Sequence, residues 1–305
     1  MFIKPKIVLS RCFSEPVRYN GEIVNNDFVN KLKRYVDYID FCPELEIGLG
    51  VPRKEITIVD ENGSKKLIQI KTGIDLTEKF LRYSEKVVNS IKGVDGFLFK
   101  SKSPSCGVGS AKIFKNKLLI GKTYGFFSEK VKEKFYYLPV EDEGRLRDGQ
   151  IREHFLIRIF AFAELRELIK NPDSKKLVDF HTKYKYLLMT YSQKYLKELG
   201  QLVAKGDIDI DEKSVIYKKK FYTAFLKRPS PKKHVNTLMH IFGYVSDKLN
   251  QKEKEHILNL IENFGKENTQ LKVIIEILKG LSYRFENEYL LYQKYLEPYP
   301  EELSE

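Results

Sequence analysis

Cys12, Cys42 and Cys106 are the three cysteines of this 305-residue chain. Their surroundings are Ser10-Arg11-Cys12, Phe41-Cys42-Pro43-Glu44 and Ser103-Pro104-Ser105-Cys106-Gly107. Pro and Gly beside a thiol fix a loop and let the backbone approach closely, so such segments present thiolates together with unpaired N–H groups, as sulfide or phosphate anions require. An odd number of cysteines argues for metal binding, catalysis or burial in a reducing compartment rather than for a disulfide scaffold. Zinc in a structural site wants four ligands, and the fourth would have to be Glu, His or water, with every histidine lying beyond residue 148. A 4Fe-4S cluster held by three thiolates leaves one iron able to act as a Lewis acid or to take a substrate sulfur. From spacing alone, three small buried hydrophobes fit as well.

The elements around the thiols give them a common position. Ile7 to Leu9 reads as a buried strand, Asn26 to Tyr38 as a helix, Lys66 to Lys71 as a strand and Gly96 to Phe99 as a second buried strand. Thr77 is placed to cap the helix TEKFLRYSEKVVNSI. Strand, helix, strand order predicts an α/β domain over residues 1–148 with a mainly parallel sheet, whose ligands collect at the carboxyl ends of the strands. Cys12 follows the first strand, Cys106 follows the strand ending near Lys100, and Cys42 follows the short run Tyr38 to Phe41. The three thiols are expected to converge on one reactive site.

From about Ile151 the pattern changes to long helical periods, which predicts an all-α domain over residues 149–305. Turn signals break it at Lys170-Asn171-Pro172-Asp173, Gly206-Asp207 and Arg228-Pro229-Ser230-Pro231. The polar, glycine-punctuated stretch from Glu141 to Gly149 reads as the domain boundary. Hydrophobic residues at 42% and charged ones at 31% describe a soluble globular protein. The start of the chain has too short an apolar run for a signal-peptide core or a membrane span, so a cytoplasmic protein with no membrane partner is expected. The net charge of +12 favours polyanions. Its excess is shared: residues 1–148 hold 27 Lys and Arg against 20 Asp and Glu, the remainder 27 against 22.

The runs VRYNG after Cys12, CPELEIGLGVPR and SPSCG together resemble the TudS-type thiouracil desulfidase family over residues 3 to 148. The resemblance implies a 4Fe-4S cluster ligated by Cys12, Cys42 and Cys106, with the free iron capturing the thiocarbonyl sulfur of a thiolated pyrimidine. The implied chemistry is non-redox: sulfur leaves as sulfide and water supplies the oxygen, with a nearby carboxylate moving protons. Glu44 is the candidate base. Ser103 and Ser105 are candidates for holding the pyrimidine or stabilising the leaving sulfur, and both also suit a turn. Arg18 and Arg53 suit either a substrate phosphate or a structural ion pair. Lys100 and Lys102 suit either charge near the cluster, a nucleotide phosphate, or plain solvation.

The helical half resembles the YbgA-type domain, on Asp179-Phe180-His181 with Lys183-Tyr184-Lys185 and on Pro231-Lys232-Lys233-His234-Val235-Asn236 with His240 and Tyr244. On one helix His181 and Lys185 share a face at spacing four, and Tyr184 and Tyr186 extend an aromatic and basic surface. Interleaved Tyr and Lys suit RNA, since bases stack on rings and ammonium groups meet phosphates; core packing explains the same tyrosines. His181, Lys185, Lys232, Lys233 and His234 are the candidate RNA contacts, and the histidines also suit a core. The fusion implies a substrate larger than a free base, namely thiolated uridine in transfer RNA, with 4-thiouridine preferred. Desulfuration of free thiouracil or a thionucleotide is the alternative within the enzyme class. A nucleic-acid-binding module with a structural or sensing cluster or zinc is the alternative outside it.

Overall fold

The computed structural model describes residues 2–304. It divides into two compact units, Met1–Glu164 with Pro300–Glu305, and Leu165–Tyr299.

The first unit contains β1 (Lys6–Ser10), α1 (Asp27–Leu32), β2 (Asp37–Phe41), α2 (Pro43–Glu46), β3 (Ile56–Glu61), β4 (Ser64–Gln69) and α3 (Thr77–Ser90). It continues through β5 (Gly96–Phe99), β6 (Ala111–Lys115), β7 (Leu118–Thr123), α4 (Phe126–Lys134) and β8 (Val140–Asp142) into α5 (Gly149–Lys170). One sheet has the order β2-β1-β5-β8 and is parallel throughout. Its central strands read IVLS and GFLF and are buried along their length, as expected of a parallel sheet covered on both faces. The chain runs from β1 to β2 on one side and later returns with β5 on the other side of β1. The switch point therefore lies between β1 and β5, where such sheets open a crevice beyond their carboxyl ends.

A second sheet, β4-β3-β6-β7, joins two antiparallel hairpins through a parallel β3–β6 pair. The first hairpin turns at Asn62-Gly63, both at positive φ, the two-residue connection whose twist matches paired strands.

Two expectations are corrected. The stretch from Asn26 to Tyr38 is not one helix: Asn26 caps a six-residue α1, accepting from the Val29 N–H, and β2 begins at Asp37. Lys6 to Ser10 pairs with Asp37 to Phe41 in continuous register, and the sheet edge gained by that pairing overrides the helical period. Thr77 opens α3 but does not cap it; its hydroxyl accepts from the Leu67 N–H, while the Asp75 carboxylate accepts from the Thr77 N–H.

The second unit is helical: the end of α5, then α6 (Ser174–Lys183), α7 (Lys185–Tyr191), α8 (Gln193–Ala204), α9 (Ile210–Ala224), α10 (Pro231–Gly243), α11 (Gln251–Gly265), α12 (Leu271–Arg284) and α13 (Glu288–Leu291). Asp173, Ser192 and Asp209 cap α6, α8 and α9 with their side chains. Among the described residues no helix is long and apolar enough to cross a membrane. His181 and Lys185 do not share one continuous helix, because α6 ends at Lys183 and α7 starts at Lys185. Tyr184 and Tyr186 are each 1% exposed and so offer no stacking surface. The Tyr184 ring stacks on Phe180 at 4.4 Å and meets Phe221 edge-on, and burying aromatic area outweighs leaving it for a ligand.

Both candidate histidines lean on buried tyrosines, His181 Nδ1 on the Tyr217 hydroxyl and His234 Nδ1 on the Tyr295 hydroxyl, each at 3.1 Å. Burial pushes both imidazoles down to about 4, with Lys185 adding to the effect at His181. The unfolded chain takes up these protons near its ordinary value while the folded one resists, so stability is whole above pH ~6.5 and falls between there and ~4, by roughly 3 kcal/mol per histidine. Urea unfolding at pH 7.5 and pH 5 is expected to show a lower midpoint in acid. The double variant His181→Gln, His234→Gln, which keeps a polar partner for each tyrosine, should show a smaller drop; an equal drop would rule out the histidines as its source.

Candidate active site

Three adjacent strands of the parallel sheet each deliver one thiol at their carboxyl ends. Cys42 directly follows β2, Cys12 lies two residues past β1, and Cys106 sits in the loop after β5. Cys12 and Cys106 therefore flank the switch point. All three thiols are free and buried.

Burial raises the Cys12 thiol to about 12, with Cys42 adding to the rise and Lys100 opposing it. The Cys106 thiol is pushed up by burial and then by Cys42, Glu44 and Cys12, against a hydrogen bond with the Ser10 hydroxyl. Cys42 is raised by burial and opposed first by the Leu45 N–H, because this thiol occupies the N-cap position of α2. Burial is the largest cause at all three, so each thiol favours its neutral form. Among the described residues, no group of three or more His, Cys, Asp and Glu is gathered to hold a metal ion.

Glu44, at the second position of α2, is turned into the same site. Its Oε1 accepts from the Ser105 hydroxyl at 2.8 Å and the Ser103 hydroxyl at 3.5 Å. Its Oε2 accepts from Arg53 Nε at 2.7 Å, in a pair whose side chains are only 12% and 5% exposed. Arg53 Nη1 also donates to the Val17 and Gly50 carbonyls, which ties the loops after Cys12 and Cys42 together. Ser103 Oγ accepts from the Ser105 and Cys106 N–H groups, so it shapes the turn as well as facing Glu44. Arg18 is elsewhere, paired with Glu22 at 2.7 Å and lying over Tyr19. Lys102 is exposed, and its N–H donates to Ser110 Oγ. In the helical unit Lys232 is exposed and Lys233 Nζ donates to the Tyr191 carbonyl.

The Cys106 loop is fastened by residues of the polar stretch that reads as the domain boundary. Asp142 Oδ2 accepts from the Val108 N–H at 3.0 Å and the Ser110 hydroxyl at 2.5 Å, holding the loop's far end. Glu143 holds the near end, accepting from the Ser101 N–H at 2.5 Å, the Ser101 hydroxyl at 2.7 Å and Lys100 Nζ at 2.5 Å. Both carboxylates are buried. The N-terminus of α4 closes the loop from below: the Phe126 N–H donates to the Pro104 carbonyl and the Phe127 N–H to the Ser105 carbonyl. That contact requires Gly125, since a Cβ there would lie 2.5 Å from the Ser105 carbonyl carbon.

Residues 7–143 match the family described as 2-thiouracil desulfurase, and residues 185–300 match a family described as protein of unknown function, DUF1722. The chain thus joins a region similar to the 2-thiouracil desulfurase family to one similar to DUF1722. The 2-thiouracil desulfurase match begins inside β1 and ends at Glu143, so it takes in all three thiols, Glu44, both serines and both loop-holding carboxylates. A solved 4Fe-4S-dependent thiouracil desulfidase TudS is 26% identical, covering 48% of this chain and 95% of its own, at a TM-score of 0.39. The uncharacterized protein YbgA of Escherichia coli (strain K12) is 28% identical over 150 residues, 48% of this chain and 88% of the relative. The DUF1722 match begins at Lys185 and takes in Lys232, Lys233 and His234, but not His181.

Replacing Gly125 with Ala is expected to displace the Ser105–Cys106 peptide, at a cost of about 1–3 kcal/mol. Chemical unfolding measures that cost. A Gly125→Ala protein as stable as the parent would show that α4 does not hold the loop.

Proposed function

We propose that this chain converts 4-thiouridine in transfer RNA to uridine, using a 4Fe-4S cluster held by Cys12, Cys42 and Cys106 while the helical unit grips the RNA. The reading is carried by one observation: the thiols follow three neighbouring strands, and the Glu44–Ser105 pair stands among the same loops. The donor set suits such a cluster. Cys12, Cys42 and Cys106 would hold the group through soft thiolates, the ligands that iron-sulfur centres take. When bound, the cluster supplies an iron without a protein ligand, a Lewis acid for the thiocarbonyl sulfur.

The residues of the chain account for the rest. Water adds its oxygen to the thiocarbonyl carbon, the C–S bond breaks, and the sulfur departs as hydrogen sulfide carrying both water protons, with no net change of oxidation state. Glu44 accepts the first proton at the oxygen that faces Ser105. The Ser105 hydroxyl can pass it onward toward the leaving sulfur, since it already donates to that carboxylate at 2.8 Å. Arg53 holds the carboxylate in place and, being nearly buried, covers its back. The shared positive charge of both halves supports an RNA substrate over a free base.

Anaerobic reconstitution with iron and sulfide, followed by incubation with transfer RNA containing 4-thiouridine, tests the proposal. Loss of the near-ultraviolet thiouridine absorbance with one sulfide released per base is expected. Each single Cys12, Cys42 or Cys106→Ser change should abolish it. Glu44→Gln should lower turnover by about 10²–10⁴-fold with iron content unchanged. A protein that clears free thiouracil but leaves the RNA untouched would overturn the substrate assignment. A four-iron protein inert toward RNA, nucleoside and free base would overturn the reaction.

A further inference from the structure

A cleft of about 460 Å³ lies between α2 and α3, within the size range of small-ligand sites. Lys79, Arg82, Tyr83 and Lys86 of α3 line one side at helical spacings of three and four, so they share one face. Glu46 and Ile47, at the end of α2, form the facing wall.

That wall is continuous with the loops of the candidate active site. Glu46 accepts from Arg11 Nη2 at 3.3 Å, and Arg11 directly precedes Cys12. The Tyr83 ring lies parallel to Phe41 with centroids 6.0 Å apart, and Phe41 directly precedes Cys42. Glu44 and Glu46 stand two positions apart on α2, a turn of about 200°, so Glu44 meets Ser105 on one side of this helix while Glu46 faces the cleft on the other. The width of one helix, ~10 Å, separates the two.

Charge in the cleft is uneven. Its two acids are both engaged, Glu46 with Arg11 and Glu78 with Arg82. Lys79 and Lys86 are exposed and take part in no hydrogen bond or ion pair among the described residues. Seven positions of helix put them ~10 Å apart along α3, far enough to meet separate phosphates. A free base has no group for either ammonium, whereas a polynucleotide threaded past the reacting base does.

We propose that this cleft is a backbone subsite for the RNA substrate, in which Lys79 and Lys86 each meet a phosphate of the nucleotides flanking the thiolated base. The proposal rests on the reading that transfer RNA is the substrate, and it places part of the grip in the first unit, beside the thiols, in addition to the helical one.

The test measures binding of labelled transfer RNA to the full-length protein by fluorescence anisotropy over a series of salt concentrations. The double variant Lys79→Gln, Lys86→Gln removes both charges from the cleft. Lys117→Gln, Lys122→Gln removes the same charge from two exposed lysines of the β6–β7 hairpin in the same unit. The cleft variant should bind about 10- to 50-fold more weakly at ~0.1 M salt, and the slope of log affinity against log salt should shrink by about 1.5, the loss of two phosphate contacts. The hairpin variant should stay close to the parent, as should Lys79→Arg, Lys86→Arg, which keeps the cleft charges. Equal losses in the cleft and hairpin variants would reduce the effect to bulk charge and overturn the subsite, as would a cleft variant that binds like the parent. A parent protein that does not bind transfer RNA even at low salt would sink the RNA reading and the subsite with it, a result distinct from both.

Discussion

The burial of three free thiols past the ends of neighbouring strands is the constraint to which the rest of the first unit answers. Cys12, Cys42 and Cys106 lie at the ends of strands that pair side by side, in surroundings that raise the cost of ionising each of them. Apolar burial gives no reason to collect three polarizable sulfurs at a loop-built edge instead of dispersing them through the core. The three thiols lie within the region similar to the 2-thiouracil desulfurase family.

Around the thiols, opposite charges are arranged as fixed pairs. Arg53 with Glu44 joins the first two cysteine loops, and Lys100 with Glu143 anchors the third. Breaking either pair by removing one partner would strand a nearly buried charge, the costly case for buried ions. Asp142 and Glu143, consecutive residues at the end of β8, hold the two ends of one loop. The edge strand of the sheet is thus coupled to the position of Ser103, Ser105 and Cys106. The α4 N-terminus adds a third attachment, made possible by a glycine that allows close backbone approach. A loop fastened at so many points places its reactive groups with little freedom, which is what catalysis at a defined carbon requires.

The YbgA-like unit follows a different logic. Its interior is aromatic, with Phe180, Tyr184, Tyr217 and Phe221 in mutual contact. Tyrosines that look like a recognition stripe in sequence are mostly structural here. Cations, Lys232 among them, remain on its surface.

The sequence alone determined the local features: helices from their 3.6-residue period, buried strands from short apolar runs, and thiols in Pro- and Gly-bounded loops just past strand ends. Each depends on residues within a few positions of one another. Tertiary structure decided what depends on distant partners. Pairing with β1 turned the end of an apparent helix into β2, and burial against Phe221 withdrew Tyr184 from the surface. A polar stretch that reads as a linker supplies the two carboxylates that hold the Cys106 loop, because Asp142 and Glu143 meet Ser110 and Ser101 only when β8 lies beside β5. The turn at Asn62-Gly63 is local, but its sheet is not, since β3 finds β6 across two intervening strands and a helix. Periodicity and turn chemistry act along the chain, whereas the pairing of charges and strands is set by which surfaces the fold buries together.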